Sequence, residues 1–219
     1  MKKLLLVLTI IAGTTFSASA QIAQGSILVD TYYGFTNLPG ALYNTNWEFE
    51  AAFWGTNGIT KSGLGPIGVR AEYMTTDKLG VGIDFALNLN SASFDGEYTD
   101  FDSNGDPITT SFIAEGSSTK WGAMVTLNYH VVTNDVIDFY LMGGVGYKNR
   151  TSTLTTTHGY YTDEEFNNQA IGLTPETAIP LAARLGLGLR VFFTDNIGAN
   201  VGLGFGQGGI LNAGLSFAL

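Results

Sequence analysis

The sequence predicts an all-β chain, closed as an eight-stranded antiparallel up-and-down transmembrane barrel. Three observations carry that expectation: long stretches in which apolar residues alternate with glycine or polar ones, links that are alternately long and short, and no apolar segment long enough for a spanning helix. The alternation is clearest over residues 181–219. There Leu185, Leu187, Leu189, Val191, Val201, Leu203, Leu211 and Leu215 fall on one face, and Arg184, Gly186, Gly188, Arg190, Asn200, Gly202 and Asn212 on the other. A period of two means strands. A fully aliphatic face opposite a polar one that bears charge suits a barrel whose outside meets lipid, because in hydrocarbon only helices and closed barrels satisfy every backbone hydrogen bond.

The N-terminus implies export. Lys2 and Lys3 precede the apolar run Leu4 to Ile11, and Ala18, Ser19 and Ala20 form a small-residue site before Gln21, so residues 1–20 read as a cleaved signal peptide and residues 21–219 as the barrel. Removing the two lysines leaves 8 basic residues against 19 acidic ones, a net charge of −11 that argues against nucleic acid as a partner. The chain has no cysteine, which excludes disulfides.

Eight strands follow in order. The first, Ser26 to Phe35, sets Ile27, Val29, Thr31 and Tyr33 against Asp30 and Tyr32. The second, Gly65 to Met74, sets Ile67, Val69 and Ala71 against Arg70 and Glu72. The third begins at Leu79 and opposes Val81, Ile83 and Phe85 to Gly80, Gly82 and Asp84. The fourth opposes Trp121, Val125 and Leu127 to Lys120, Asn128 and His130. The fifth opposes Ile137, Leu141 and Val145 to Asp138, Tyr140 and Lys148. Strands six to eight are those of residues 181–219. Short turns at 75–78, 132–136 and 194–196 alternate with long links at 36–64, 95–119 and 150–179, as periplasmic turns alternate with outer loops. A soluble ligand-carrying barrel with the aliphatic face inside is physically possible. The aromatic residues Tyr33, Tyr73, Tyr129, Phe193 and Phe217 at strand ends, placed like an interfacial girdle, favour the membrane version.

Candidate functional residues fall in two groups. The polar face carries Asp30, Glu72, Asp84 and Asp138 against Arg70, Lys120, Lys148, Arg184 and Arg190, which in a narrow lumen implies a network of paired charges, either filling the barrel or rearranging as a gate. The short turn between strands two and three places Arg70 roughly opposite Asp84. In the second long link, Asp100, Asp102, Asn104, Gly105 and Asp106 match the first half of a calcium loop, yet position twelve is Ser111 and Pro107 interrupts it. Asn104 and Gly105 between EYTDF and ITTSF also signal a protruding hairpin. No other cofactor is expected. The histidines, His130 at the short-turn end and His158 in the third long link, lack a nucleophile placed for lipid chemistry, so no enzyme is expected.

The stretches GLGLRVFFTDNIGANVGLGFGQGGILNAGLSFAL and GPIGVRAEYMTTDKLGVGIDFAL resemble the small eight-stranded outer-membrane barrel family, of the OmpX-like and OmpA transmembrane-domain type, particularly variants from Bacteroidetes-like bacteria. The resemblance spans Ser26 to Leu219. It departs from the family at Leu219, where an aromatic residue is usual, and in having no peptidoglycan-binding domain after strand eight. It implies the bacterial outer membrane as location, contact with outer-membrane lipid and lipopolysaccharide, the barrel assembly machinery as a partner during biogenesis, and a monomer. The expected role is surface interaction or envelope integrity through acidic outer loops. The alternatives are a narrow ion pore and an outer-leaflet lipid-modifying enzyme.

Overall fold

The computed structural model describes residues 22–35, 38–56, 58–170, 173–174 and 179–219. The segment read as a signal peptide, residues 1–20, lies outside them, as does Glu176 of the third link. Eight strands close a ring in sequence order, β1(Ile27–Phe35), β2(Ile59–Thr76), β3(Leu79–Phe101), β4(Pro107–Thr133), β5(Ile137–Thr156), β6(Leu181–Phe192), β7(Ile197–Gly206) and β8(Leu211–Ala218). Every neighbouring pair is antiparallel, and β1 seals the ring against β8 from Leu28↔Ala218 to Phe35↔Leu211.

The turns at one end are fixed by short polar side chains that replace missing backbone partners. The Thr76 hydroxyl accepts from the Leu79 amide, the Asn134 carbonyl from the Val136 and Ile137 amides, and the Thr194 hydroxyl from the Ile197 amide. The register these turns set puts the aliphatic face outside. Val69, Ile83, Val125, Leu141, Leu187, Val201 and Leu215 are all exposed, while their polar neighbours are buried. Aromatic residues ring both ends of this belt, with Tyr73, Tyr129 and Phe193 near the short turns and Tyr33, Trp121, Tyr147 and Phe205 near the long links.

The second long link forms the protruding hairpin that the sequence signals, and the first and third differ from expectation. They are not loops without packing of their own. β3, β4 and β5 run for 23, 27 and 20 residues and continue well past the ends of β6, β7 and β8. The 95–119 link is the tip of a continuous hairpin that turns at 102–106. The other two links fold as helices, α1(Leu38–Phe53) and α2(Asp163–Gln169). Thr162 caps α2 in a reciprocal box with Glu165, satisfying two amides that the helix itself cannot.

The extended sheet and the helices share a second core. Tyr43, Trp47 and Ala51, one turn apart on α1, pack with Phe94, Phe112, Ala114 and Leu154 of the sheet and Phe166 of α2. Ala92, Phe94, Phe112 and Ala114 continue the inward side of β3 and β4, so the apolar pattern swaps faces above the membrane belt. Gly116 makes room for it: a Cβ there would sit 2.1 Å from the Trp47 ring.

Candidate functional site

The lumen is layered. At the short-turn end Ile22, Leu28, Met74, Phe192 and Ala218 form an apolar floor. Above it lies a dense ionic layer. Arg190, with no exposed surface, donates to Asp138 (2.7 Å), Glu72 (2.8 Å) and Asp30 (2.9 Å) and lies 4.3 Å over the Tyr140 ring. Arg70 binds Asp84 through two nitrogens at 3.0 and 2.9 Å, reaches Asp30 at 3.5 Å and donates to the Tyr140 hydroxyl at 3.1 Å. The pair Arg70↔Asp84 is in direct register across β2 and β3. Tyr32 donates to Asp84 and Ser216 to Asp30, each at 2.7 Å, so the carboxylates fill their remaining acceptor positions. Such saturation is what makes buried charge tolerable.

His130 joins this layer, which the sequence reading did not anticipate. Its Nδ1 lies 2.6 Å from Asp138 and its Nε2 2.8 Å from Glu72. Carboxylates only accept, so both ring nitrogens must donate, and the imidazolium is the form that fits. The signal was available in the phase of β4 and β5, because His130, Tyr140 and Tyr32 share the inward parity of the charges. Glycines on the facing strands hold the space for the rings: a Cβ on Gly188 would lie 2.2 Å from the Tyr140 ring, and one on Gly68 2.3 Å from Tyr32.

The β7–β8 turn forms the next layer by folding into the lumen. Gly206, Gly208 and Gly209 all take positive φ, a backbone path that other residues rarely follow. Gln207 thereby crosses the barrel to donate to Asp84 and to the Gly122 carbonyl, each at 3.2 Å. Arg184, placed by the sequence in the paired-charge network, instead donates to the carbonyls of Gln207 and Gly209.

Lys120 and Lys148 also stand apart from the carboxylates. They line a cavity of about 380 Å³ above the turn, and among the described residues no ion pair joins either to an acid. The nine charges expected to form one network are therefore divided, with Asp30, Arg70, Glu72, Asp84, Asp138 and Arg190 together and Lys120, Lys148 and Arg184 outside. The cause is height. Lys120 pairs in register with Arg150 and Gly122 with Lys148, both beyond the end of the acidic layer.

In the cap, the acidic hairpin tip serves its own turn. Asp102 accepts from the amides of Asn104 (2.8 Å) and Asp106 (2.9 Å), which hold its carboxyl below the usual range. Asp100 accepts from the Tyr160 hydroxyl and the Phe101 amide. Among the described residues no group of three or more acidic, histidine or cysteine side chains is placed to hold a metal. Glu50, in the first long link, is buried on α1, and burial pushes its carboxyl up.

His158 sits among rings, stacked on Tyr98 at 4.1 Å with Tyr161 at 4.7 Å, Phe112 at 4.8 Å and Trp54 at 5.4 Å. Its Nδ1 accepts from the Tyr160 amide and its Nε2 has no partner among the described residues, and burial holds the imidazole below its usual range.

No family model matches this chain, and no curated relative does. Solved structures do. The N-terminal β-barrel domain of Pseudomonas aeruginosa OprF is 15% identical over 90% of this chain and 99% of its own, with a TM-score of 0.41. The outer membrane protein OprG from Pseudomonas aeruginosa is 12% identical over 92% and 99%, also at 0.41. The Escherichia coli outer membrane protein W is 10% identical over 90% and 99%, at 0.38. The fold assignment stands on the closed strand pairing itself.

Proposed function

We propose that this chain is an outer-membrane barrel with a sealed lumen, which presents a folded acidic cap at the cell surface for interaction or envelope integrity. The observation that carries the reading is the pairing of two features on the same strands. The outside is an exposed apolar belt edged by aromatic residues, and the inside is closed in succession by an apolar floor, a saturated ionic layer and an inward-folded turn. Water cannot satisfy such an outer surface, and lipid can.

The cap supports the surface role. Its aromatic core makes it a rigid platform, and Asp95, Glu97, Asp106, Glu115, Asp163, Glu164 and Glu165 are exposed on it. An acidic platform of this kind attracts basic partners and meets anionic lipopolysaccharide through bridging divalent cations. The barrel is inserted as a monomer by the assembly machinery.

The test is conductance of the purified, folded protein in planar lipid bilayers. A sealed lumen gives no discrete steps at moderate voltage. Stable, ion-selective steps that survive removal of the cap would replace this reading with a pore.

A further inference from the structure

Above the β7–β8 turn the lumen changes character. On the inward side of β4 and β5, Lys120 is directly opposed to Arg150, and Lys148 lies two positions along, at the diagonal spacing of roughly 7–8 Å. Like charges set in register oppose folding unless something neutralises them. No carboxylate among the described residues makes an ion pair with any of the three. The two lysines are half-buried and line the cavity of about 380 Å³, whose mostly apolar wall includes Pro66, Ala86, Ala182 and Ile210. The floor is Gln207 and Gly208 of the inward turn, so the space is blind toward the ionic layer. A cavity of this size, mostly apolar with two convergent charges, has the composition of a small-molecule site.

We propose that the upper lumen is a binding chamber for a dissolved organic anion with a compact apolar body. Its carboxylate or phosphate end is held between the Lys120 and Lys148 ammonium groups, with Arg150 adding positive field from above. Its ring or short hydrocarbon lies against Pro66, Ala86, Ala182 and Ile210. The ligand supplies the negative charge that no described residue pairs with these cations, and its apolar part explains why the wall around two cations is not more polar.

The experiment is calorimetric titration of the folded protein in zwitterionic nanodiscs with 4-phenylbutyrate, with neutral 4-phenylbutanol and with inorganic phosphate. One saturable phenylbutyrate site is expected, weakened by added sodium chloride. The alcohol and phosphate should each bind at least about tenfold more weakly. The double variant Lys120→Met/Lys148→Met should lose at least about tenfold in affinity while keeping its heat-modifiable folded band, and Lys148→Arg should retain binding. Should the double variant not fold, Lys120→Gln alone carries the same expectation. Equal binding of the alcohol, equal binding by the lysine variants, or no saturable phenylbutyrate binding at millimolar concentration overturns the proposal. Repeating the titration with an anionic lipid in the disc separates the sources. Unchanged affinity keeps the ligand a dissolved anion, and competitive loss makes the occupant a lipid headgroup and overturns that assignment.

Discussion

The lower lumen and the region above the β7–β8 turn share β2 to β5 and treat their charged groups in opposite ways. Below, each charge meets opposite charge, and His130 has both nitrogens on carboxylates. Above, no acid among the described residues makes an ion pair with Lys120, Lys148 or Arg150, and His158 is enclosed by rings with one nitrogen unpartnered among those residues. The difference follows from closure. Where eight strands close, the lumen is just wide enough for side chains, so charges must neutralise one another within it. Where β6 to β8 have ended, there is room for solvent, a ligand or a cap, and the pairing rule relaxes.

The sharpest way to break this comparison is to remove a central cation. Arg190→Met leaves Asp30, Glu72 and Asp138 without their shared partner, and should cost about 3–5 kcal/mol in urea unfolding from lipid vesicles. A loss below about 1 kcal/mol would mean the ionic layer is not the tightly coupled unit described.

Packing around that layer gives a smaller effect. The alternation puts Gly188 on the polar face, where a side chain would meet the Tyr140 ring. Gly188→Ser should cost about 1–3 kcal/mol, and the combination with Tyr140→Leu should cost less than the sum of the two. Strict additivity in the same unfolding measurement would show that the ring and the glycine do not share the space.

The upper region should answer to pH where the lower one answers to mutation. Burial holds His158 below the ordinary 6.5, so the fold favours the neutral ring. Its contribution is present above that value and declines as pH falls below it toward the folded pKa, because the unfolded chain takes up the proton first. Amide exchange in α2 and the Tyr98 segment should therefore quicken between pH 7 and pH 5 relative to the barrel strands, and His158→Phe should flatten the difference. The smallest change is expected from Lys148→Met, within about 0.5 kcal/mol of the parent or slightly more stable, since it relieves a like-charge neighbour and breaks no ion pair. A loss comparable with that of Arg190→Met would place Lys148 in the same network after all.

How much of this was legible depends on what the pattern repeats. Strand parity is periodic, so the faces of Leu187, Val81 and Phe85, the strand order and the opposition of Arg70 to Asp84 could all be read from residue spacing. Parity also put Lys120, Lys148 and Arg184 on the inward side. It could not give their height relative to Asp30 and Glu72, because height depends on the stagger of pairing between strands. Of the extensions of β3 to β5, the hairpin turn at Asn104 and Gly105 is legible, whereas the length of the strands leading to it is not, because serine, threonine and aspartate dilute the alternation there, although Phe94, Phe112 and Leu154 keep it. The inward fold of Gln207 to Gly209 left no periodic trace, since a turn built on positive-φ glycines can go either way.

The uneven strand lengths have one more consequence. Inside the apolar belt every strand has two neighbours, whereas above it β2 to β5 form an open sheet. β1 stops pairing β2 at Tyr33↔Ile67, and β6 stops pairing β5 at Tyr147↔Leu181. One chain therefore solves the edge problem twice, by circularity in lipid and by chemistry in water. Along Arg150 to Thr156 the rim reads Arg-Thr-Ser-Thr-Leu-Thr-Thr, short hydroxyl side chains beside backbone groups that water can reach, with α2 packed on β5 nearby. The barrel thus has a high side and a low side, and so a heading within the plane of the membrane that a symmetric cylinder would lack.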